Sequence, residues 1–373
     1  MSRQSPGRGV LGVGIVGLSA ERGWAGTAHV PAINAIPGLE LRAASASSAA
    51  SSKLAAEKHG VPVACADAAE LAAHPDVDLV VITVKVPYHA ELVGHALAHG
   101  KKVLCEWPLG NGTAEAEALT AEAAAKNVGA WVGLQARATP AIRHAADLIA
   151  AGEIGEVLST TLVAVGGEWG ATVRPGSEYL IDSANGATLL TVPFGHAVDA
   201  LAWTLGEFAE ISATVATRQS TVHHTVTGEA MTMTAPDQVA VTGTLTGGAV
   251  VNVHFRGGNT RDQKLRWVIS GSKGELVFVG QHGHLQFGIV ELLGAKGEDK
   301  VLTPVEVPGG YELVPQGRGG PSYTVAQAYA GLLRDLEDGG HRTPTFADAL
   351  VRHRMLDAVE DAAKTGIRQL HVP

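Results

Sequence analysis

Cysteine and positive charge are both scarce in this sequence. Two cysteines, Cys65 and Cys105, cannot supply a disulfide framework or a cysteine-built zinc site, so we expect a reducing, cytoplasmic environment. Lys and Arg number 28 against 37 Asp and Glu, which gives a formal net charge of −9. Because such a surface cannot neutralise phosphates, we expect no direct nucleic acid partner.

Long apolar runs and metal-ligand patterns are also missing. A bilayer span requires roughly 20 apolar residues, and stretches such as 77–84 are far shorter, so we expect no membrane partner. Residues 1–9 are basic and precede an apolar run at 10–18, but glycines flank or interrupt that run, unlike a signal peptide core. The tight histidine pairs, 223–224 and 282–284, have no further ligands in sequence, so we expect no metal.

The first third of the chain alternates short apolar strands with Ala-rich helices. At 373 residues the chain is long enough for two domains. We predict strands at 13–16, 39–44, 78–84, 102–105 and 130–134, and helices at 48–59, 88–98 and 114–126. Continuous apolar strands between helices are typical of a doubly wound parallel sheet covered on both faces. We assign residues 1–136 to this α/β domain.

The pattern then changes to strands rich in Val, Ile and Thr. We predict a helix at 140–151, strands at 158–165, 211–217, 239–245, 250–255, 264–270 and 275–279, a loop at 308–321, and helices at 323–338 and 345–365. Thr246-Gly247-Gly248 is typical of a hairpin turn. Residues 137–373 are therefore predicted to form a second α/β domain with an open, mainly antiparallel sheet, whose final helices pack back on the first domain.

A glycine turn follows the first predicted strand. It begins at Gly17 and continues through Ser19 and Gly23 to Ala25. Such a turn lets backbone N–H groups approach a pyrophosphate and aims a helix N-terminus at it. The spacing departs from G-x-G-x-x-G, because Ser19 stands at the second glycine, so an ordinary strand–helix loop is the alternative.

The tip of the second predicted strand has no acid to hold a ribose 2′-hydroxyl. Residues 44–48 read Ala-Ser-Ala-Ser-Ser, and Glu40 lies at the wrong end of the strand. A 2′-phosphate would be tolerated there, so the sequence favours NADP over NAD. Ser45 and Ser48 are candidate ligands; the alternative is that such serines cap the next helix.

Several segments together resemble the glucose–fructose oxidoreductase/inositol dehydrogenase (Gfo/Idh/MocA) family over nearly the whole chain. They are residues 17–28, 84–89, Glu106-Trp107-Pro108 and 195–199. Residues 16–25, 134–140, 236–238, 243–245 and 344–350 are most similar to the branch that contains the yeast galactose-regulon repressor. The resemblance implies an N-terminal Rossmann domain, NADP or NAD as cofactor, and a homodimer or higher homo-oligomer.

The resemblance also implies where the site lies. We expect the cofactor to contact Gly17, Leu18, Ser19, Gly23, Trp24, Ala25, Ser45, Ser48, Val84, Val86, His89, Glu106, Trp107 and Gln135. We expect Trp107, Arg137, Glu168, Trp169 and Tyr179 to line the substrate pocket, although surface loop positions are the alternative for the last three.

Two departures from the family concern the proton relay. Enzymes of the family generally carry Glu-Lys-Pro, where this chain has Trp107, and an aspartate four residues before the catalytic histidine, where it has Val192. Neither indole nor isopropyl can take a hydroxyl proton. His196 is therefore the remaining candidate acid or base, its alternative being a structural histidine bonded to backbone or Asp199.

Three functions follow from these residues. The first is an oxidoreductase acting on a sugar or polyol-like small molecule with an altered proton relay. The second is a non-catalytic NAD(P)-binding transcriptional co-regulator or sensor, which the loss of the lysine and aspartate favours. Cofactor-assisted elimination or glycoside cleavage would use the same site.

Overall fold

A six-stranded parallel sheet forms the N-terminal domain of the computed structural model, which describes residues 9–314 and 319–371. Its strands are β1 (Leu11–Val16), β2 (Leu39–Ser45), β3 (Val63–Ala64), β4 (Leu79–Ile82), β5 (Lys102–Cys105) and β6 (Ala130–Val132), in the order β3-β2-β1-β4-β5-β6. Val13, Ile15 and the whole of β4 are buried, as expected for a sheet covered on both faces.

The helices of this domain begin and end where local chemistry favours it. They are α1 (Val30–Ala35), α2 (Ala49–His59), α3 (Ala68–Ala73), α4 (His89–Ala98) and α5 (Thr113–Ala125). Ser48 caps the N-terminus of α2, and Gly60 ends it in a left-handed conformation at φ 68°. Asp67 caps α3 by accepting a hydrogen bond from the Glu70 N–H. The strand order is that of a dinucleotide-binding fold, whose ligands bind at the carboxyl ends of the strands.

The second domain is built on a nine-stranded, mainly antiparallel sheet, as predicted. Its elements begin with α6 (Pro140–Ala150), β7 (Val157–Val165), β8 (Thr172–Val173), α7 (Gly195–Leu205), β9 (Phe208–Ala216), β10 (Thr221–His224), β11 (Ala230–Thr232), β12 (Gln238–Leu245) and β13 (Val250–Arg256). They continue with β14 (Leu265–Gly271), β15 (Gly274–Gly280), β16 (Glu291–Lys296), β17 (Thr303–Pro304), α8 (Pro321–Asp338), α9 (Phe346–Thr365) and β18 (Gln369–Leu370). The large sheet runs β17-β16-β15-β14-β7-β13-β12-β9-β18, and β8, β10 and β11 form a small separate sheet.

The predicted hairpin turn is confirmed, and the large sheet contains one parallel pair of strands. The hairpin turn joins β12 to β13, with Gly248 at φ 88° and its N–H donated to Leu245 O at 2.8 Å. β13 and β7 pair in parallel, so the sheet is mixed rather than purely antiparallel. The predicted loop at 308–321 includes residues 315–318, and the basic start of the chain includes residues 1–8; both segments lie outside the described residues.

The final helices pack against the first domain, which places second-domain residues beside the Rossmann sheet. The Val132 N–H donates to Pro344 O at 2.9 Å, and Tyr329 of α8 hydrogen-bonds His29. Along the chain, the first sheet ends with β6 at Val132 and the second begins with β7 at Val157. Within the described ranges, no helix is both long and apolar enough to cross a membrane.

Candidate functional site

A cleft of about 1380 Å³ opens between the carboxyl ends of the Rossmann strands and the second domain. It exceeds the roughly 300–1,000 Å³ typical of pockets for drug-sized ligands, so it has room for a dinucleotide and a small substrate. The predicted cofactor residues that line it are Gly17, Leu18, Ser19, Gly23, Trp24, Ser45, Val84, Val86, His89, Glu106, Trp107 and Gln135. The predicted substrate residues Glu168, Trp169 and Tyr179 also line it, together with His196.

The glycine turn approaches its neighbours too closely for a side chain. Gly17 has φ +96°, and a Cβ there would lie 2.7 Å from Val84 Cγ1. Its N–H donates to Ser45 O at 2.8 Å, which fixes the turn against the end of β2. Further along, the Trp24 ring stacks on Phe287 with centroids 5.9 Å apart. The second domain therefore holds the turn from one side.

Two predicted cofactor residues lie outside the cleft lining. Ser48 turns its hydroxyl to the Ser51 N–H at 3.2 Å, as a helix cap does, so the capping alternative describes its position. Ala25 is 1% exposed in the helical turn Ala25–His29 and belongs to the core.

Buried polar atoms on the cleft wall have no partner among the described residues. They are Trp24 Nε1, Ser45 Oγ, His196 Nδ1 and both amide atoms of Gln135. Buried polar groups are normally hydrogen-bonded, so this set indicates a polar ligand. Together with the glycine turn, these atoms fit a nicotinamide dinucleotide.

Glu106 is held by His29 of the first domain, which is itself bonded to Tyr329 of the second. His29 Nε2 donates to Glu106 Oε1 at 3.0 Å, and His29 Nδ1 lies 2.8 Å from the Tyr329 hydroxyl. His29 and Tyr329 are buried, and burial raises the pKa of Tyr329 well above its usual value. The hydrogen bonds from Tyr329 through His29 therefore fix the position of the Glu106 carboxylate, which lines the cleft.

Trp107 is tightly held at the family's lysine position. Its Nε1 donates to Thr191 O at 2.6 Å, and its ring centroid lies 4.8 Å from that of His353. The residue is 5% exposed. His89 supports the same segment, with Nδ1 2.8 Å from Pro108 O and Nε2 3.1 Å from Val84 O. The indole therefore forms a wall of the cleft and has no N–H left to offer a ligand.

His196 lies at the start of α7 and lines the cleft together with His284. Burial, with a smaller contribution from His284, lowers the pKa of His196 to about 3. His284 donates from Nε2 to Gly166 O at 2.6 Å and accepts at Nδ1 from the Gln286 amide at 3.1 Å. Burial lowers the pKa of His284 to about 4. Both rings are neutral at pH 7, and His196 is a weak base in this setting.

Arg137, predicted to line the substrate pocket, is not among the residues that line the cleft and binds two carboxylates instead. It binds Asp199 through two bonds of 2.6 Å, and its Nη1 donates to Asp348 Oδ1 at 3.0 Å. Arg352, fully buried, contacts the same Asp199 at 3.5 Å. Although burial opposes its charge, the pKa of Arg137 is raised by Asp199 and then by Asp348. Asp199 is thus occupied by arginines rather than by His196.

Several cleft residues were missed by sequence reasoning. They are Asp67, Lys85, His284, Gln286 and Phe287. Lys85 Nζ lies 4.8 Å from the centre of the Tyr179 ring, so a cation faces an aromatic across the domain boundary. Lys85 stands between Val84 and Val86, which were predicted, but a single sequence gives no signal for the direction of its side chain. Among the described residues, no group of three or more His, Cys, Asp or Glu could hold a metal ion.

The strand order and the glycine turn define an NAD-binding Rossmann domain joined to a second α/β domain across a ligand cleft. Residues 11–134 match the model of the oxidoreductase family with an NAD-binding Rossmann fold, and residues 140–280 match that of the Gal80p C-terminal domain. The chain belongs to the Gfo/Idh/MocA oxidoreductase family.

Both dehydrogenases and regulators are among its relatives. The chain is 31% identical to dehydrogenase aclE of Aspergillus oryzae, over 95% of this chain and 96% of that protein. It is 30% identical to the galactose/lactose metabolism regulatory protein GAL80 of Saccharomyces cerevisiae, over 80% of this chain and 74% of that protein.

Solved structures give the same two kinds of neighbour. A super-repressor mutant of Gal80p from Saccharomyces cerevisiae superposes with a TM-score of 0.87 at 25% identity, covering 96% of this chain and 97% of that one. Levoglucosan dehydrogenase in complex with NADH and L-sorbose has a TM-score of 0.85 at 22% identity, covering 97% and 99%. The second likeness shows the fold alone.

Proposed function

We propose that this protein is an NAD(H)-dependent oxidoreductase of a sugar or polyol-like small molecule, with an altered proton relay that makes turnover slow. The observation that carries the proposal is one continuous cleft, lined both by the glycine turn at Gly17 and by His196. A bound nicotinamide would supply the hydride chemistry. The role of the chain is then to bind, orient and manage a proton.

Different cofactor residues would bind different parts of the dinucleotide along the cleft. The backbone around Gly17 and Gly23 would receive the pyrophosphate, since both glycines have positive φ and leave room for close approach. Ser45, with an unpartnered hydroxyl, lies towards the adenosine end at the tip of β2. Glu106 and Gln135 lie beyond the ends of β5 and β6, towards the second domain.

The substrate end combines aromatic walls with a few polar groups. Trp107 and Trp169 are both buried, and the Trp169 indole N–H is donated to Leu180 O at 2.9 Å, so these rings offer apolar surface. Lys85, Tyr179 and Glu168 add charged and hydroxyl groups, with Glu168 ion-paired to Arg174. Apolar walls with a small number of placed polar groups suit a polyhydroxylated molecule.

Proton transfer is the weak point of this site. His196 is a neutral ring that lines the cleft. A general base works best with a pKa near the operating pH. A pKa of about 3 is far below that range. Trp107 and Val192 supply no polar group in its place. The site therefore holds a hydroxyl by hydrogen bonding better than it removes the proton.

A second function, that of a cofactor-binding regulator, is favoured by the fixed Trp107. A position that carries a lysine in the family's enzymes is here bonded to Thr191 O and packed on His353. In such a protein NAD(H) would be a structural or sensing ligand and the partner a protein. The homo-oligomeric state implied by the family and a cytoplasmic location remain predictions under either function.

A panel of sugars, polyols and sugar acids tested with NAD and NADP separates the two. We expect turnover with at least one polyhydroxylated compound, slower by roughly 10²–10⁴-fold than a site with an intact base, and lost in His196→Ala. Robust turnover that survives His196→Ala would show that another residue moves the proton. Saturable NAD(H) binding without turnover on any compound would favour the regulator.

A further inference from the structure

The adenosine end of the cleft has an unpartnered hydroxyl at the point where the family's usual acid is missing. β2 ends at Ser45, which is 1% exposed and whose Oγ has no partner among the described residues. Ser47 and Ser51 also line this end of the cleft. A buried hydroxyl without a partner at a cleft wall indicates a polar ligand.

The neighbouring strand brings a carboxylate to the same place. β3 pairs in parallel with β2, with Ala43 opposite Val63 and Ala44 opposite Ala64. The Cys65 N–H donates to Ala44 O at 2.9 Å, which continues the pairing past the strand end. Residues 65–67 therefore run alongside residues 45–47, and Asp67 lines the cleft with Ser45 and Ser47.

We propose that Asp67 is the residue that selects NAD over NADP in this protein, an inference that rests on the proposed NAD(H)-binding function. A carboxylate from β3 would take the discriminating role that an acid at the tip of β2 has in other dinucleotide sites. The tip of β2 is uncharged, which is why the sequence favours NADP, but Asp67 brings a carboxylate to this end of the cleft from the next strand.

The charges around Asp67 support this role. One of its oxygens, Oδ1, accepts a hydrogen bond from the Glu70 N–H at 2.8 Å, and the side chain is exposed to the cleft. The residues that line this end, Ser45, Ala46, Ser47, Ser51, Leu54 and Ala66, carry no positive charge. The two cations that line the cleft, Arg22 and Lys85, lie against Gly176 and Tyr179 of the second domain. A 2′-phosphate beside Asp67 would therefore face a like charge, whereas ribose hydroxyls can donate to a carboxylate.

Asp67→Asn isolates the charge from the helix cap. Asparagine caps helices as well as aspartate does, so α3 should stay folded. Calorimetric titration of the full chain with NAD and with NADP measures the ratio of the two dissociation constants. We expect wild type to bind NAD at least about ten-fold more tightly, and Asp67→Asn to reduce that ratio by about ten-fold, mainly by strengthening NADP binding. The change should shrink as salt is added, because exposed charges are screened.

Glu70→Gln is the matched control. Glu70 has the same charge three residues along, but its Oε2 accepts from the Ala66 N–H and it is not part of the cleft lining. The ratio of the two dissociation constants in Glu70→Gln should stay within about three-fold of the wild-type ratio. A wild type that prefers NADP, an unchanged ratio in Asp67→Asn, or an equal change in Glu70→Gln would overturn the assignment of Asp67. Absence of binding by both dinucleotides would instead overturn the proposed function, and this inference with it.

Discussion

Trp107→Lys and Val192→Asp introduced together are expected to raise turnover of the best panel substrate by roughly 10²–10⁴-fold, the contribution typical of a positioned acid or base. Val192 precedes His196 by one helical turn and lines the same cleft. Trp107 packs against the start of α7, since a Cβ on Gly195 would lie 2.8 Å from its Nε1. Both positions therefore border His196, and either change alone leaves the relay incomplete.

The double variant is also expected to lose stability, because it removes a buried indole, so its stability must be measured beside its turnover. Removing the indole loses its contact with His353 and its bond to Thr191 O. Truncation of a buried tryptophan typically costs about 3–5 kcal/mol. Thermal unfolding should therefore accompany the kinetics, so that a loss of fold is not counted as a loss of chemistry.

A second double variant, Trp107→Met with Val192→Asn, controls for the removal of the indole. It opens the same space but supplies no proton-transferring group, so it should show no gain. Adding His196→Ala to the lysine and aspartate variant should cancel the gain. Equal gains in the two double variants, or a gain that persists without His196, would contradict the relay we describe.

Asp199→Ala should lower the free energy of unfolding by about 3–5 kcal/mol, the range for removing one partner of a buried ion pair. Asp199 is fully buried and receives both Arg137 and Arg352. Arg352 is also fully buried, and its Nη1 already has no partner among the described residues. Without Asp199, Arg137 keeps Asp348 and Arg352 keeps Glu207, but neither retains its innermost partner.

Urea unfolding of Asp199→Ala beside Glu117→Ala tests this account. Glu117 pairs with Arg354 at 2.9 Å, but the two side chains are 51% and 45% exposed. Exposed pairs contribute at most about 1 kcal/mol, so Glu117→Ala should change stability little. If the two variants lost similar stability, the buried arginines would not depend on Asp199 as the structure indicates.

Most of the fold could be predicted from the sequence because its signals are local. The strands β1, β4 and β5 are short apolar runs buried on both faces. The turn at Gly248 needs a positive φ, which glycine adopts readily. The small sheet could not be predicted, since β8 pairs with β10 about fifty residues further on, Thr172 opposite His223. A strand of two residues, such as β8, is too short to show the alternation of apolar and polar residues by which strands are predicted.

The same distinction, between local sequence signals and long-range contacts, applies to the candidate site. The turn at Gly17 was predicted because one continuous segment carries its signal. Asp67, Lys85 and His284 reach the cleft through strand pairing and domain packing, which a single sequence does not display. A single sequence also does not show where a side chain turns: Arg137 was predicted in the substrate pocket, and its guanidinium binds Asp199.

Fluorescence titration with NADH tests the central claim, that this cleft binds the dinucleotide. Trp24, Trp107 and Trp169 line the cleft, so excitation of tryptophan should transfer energy to bound reduced nicotinamide. We predict a saturable signal with one NADH per chain, and at least about ten-fold weaker binding in Gly17→Val, whose side chain would crowd Val84 and the pyrophosphate path. No saturable signal in wild type, or equal affinity in Gly17→Val, would contradict the account.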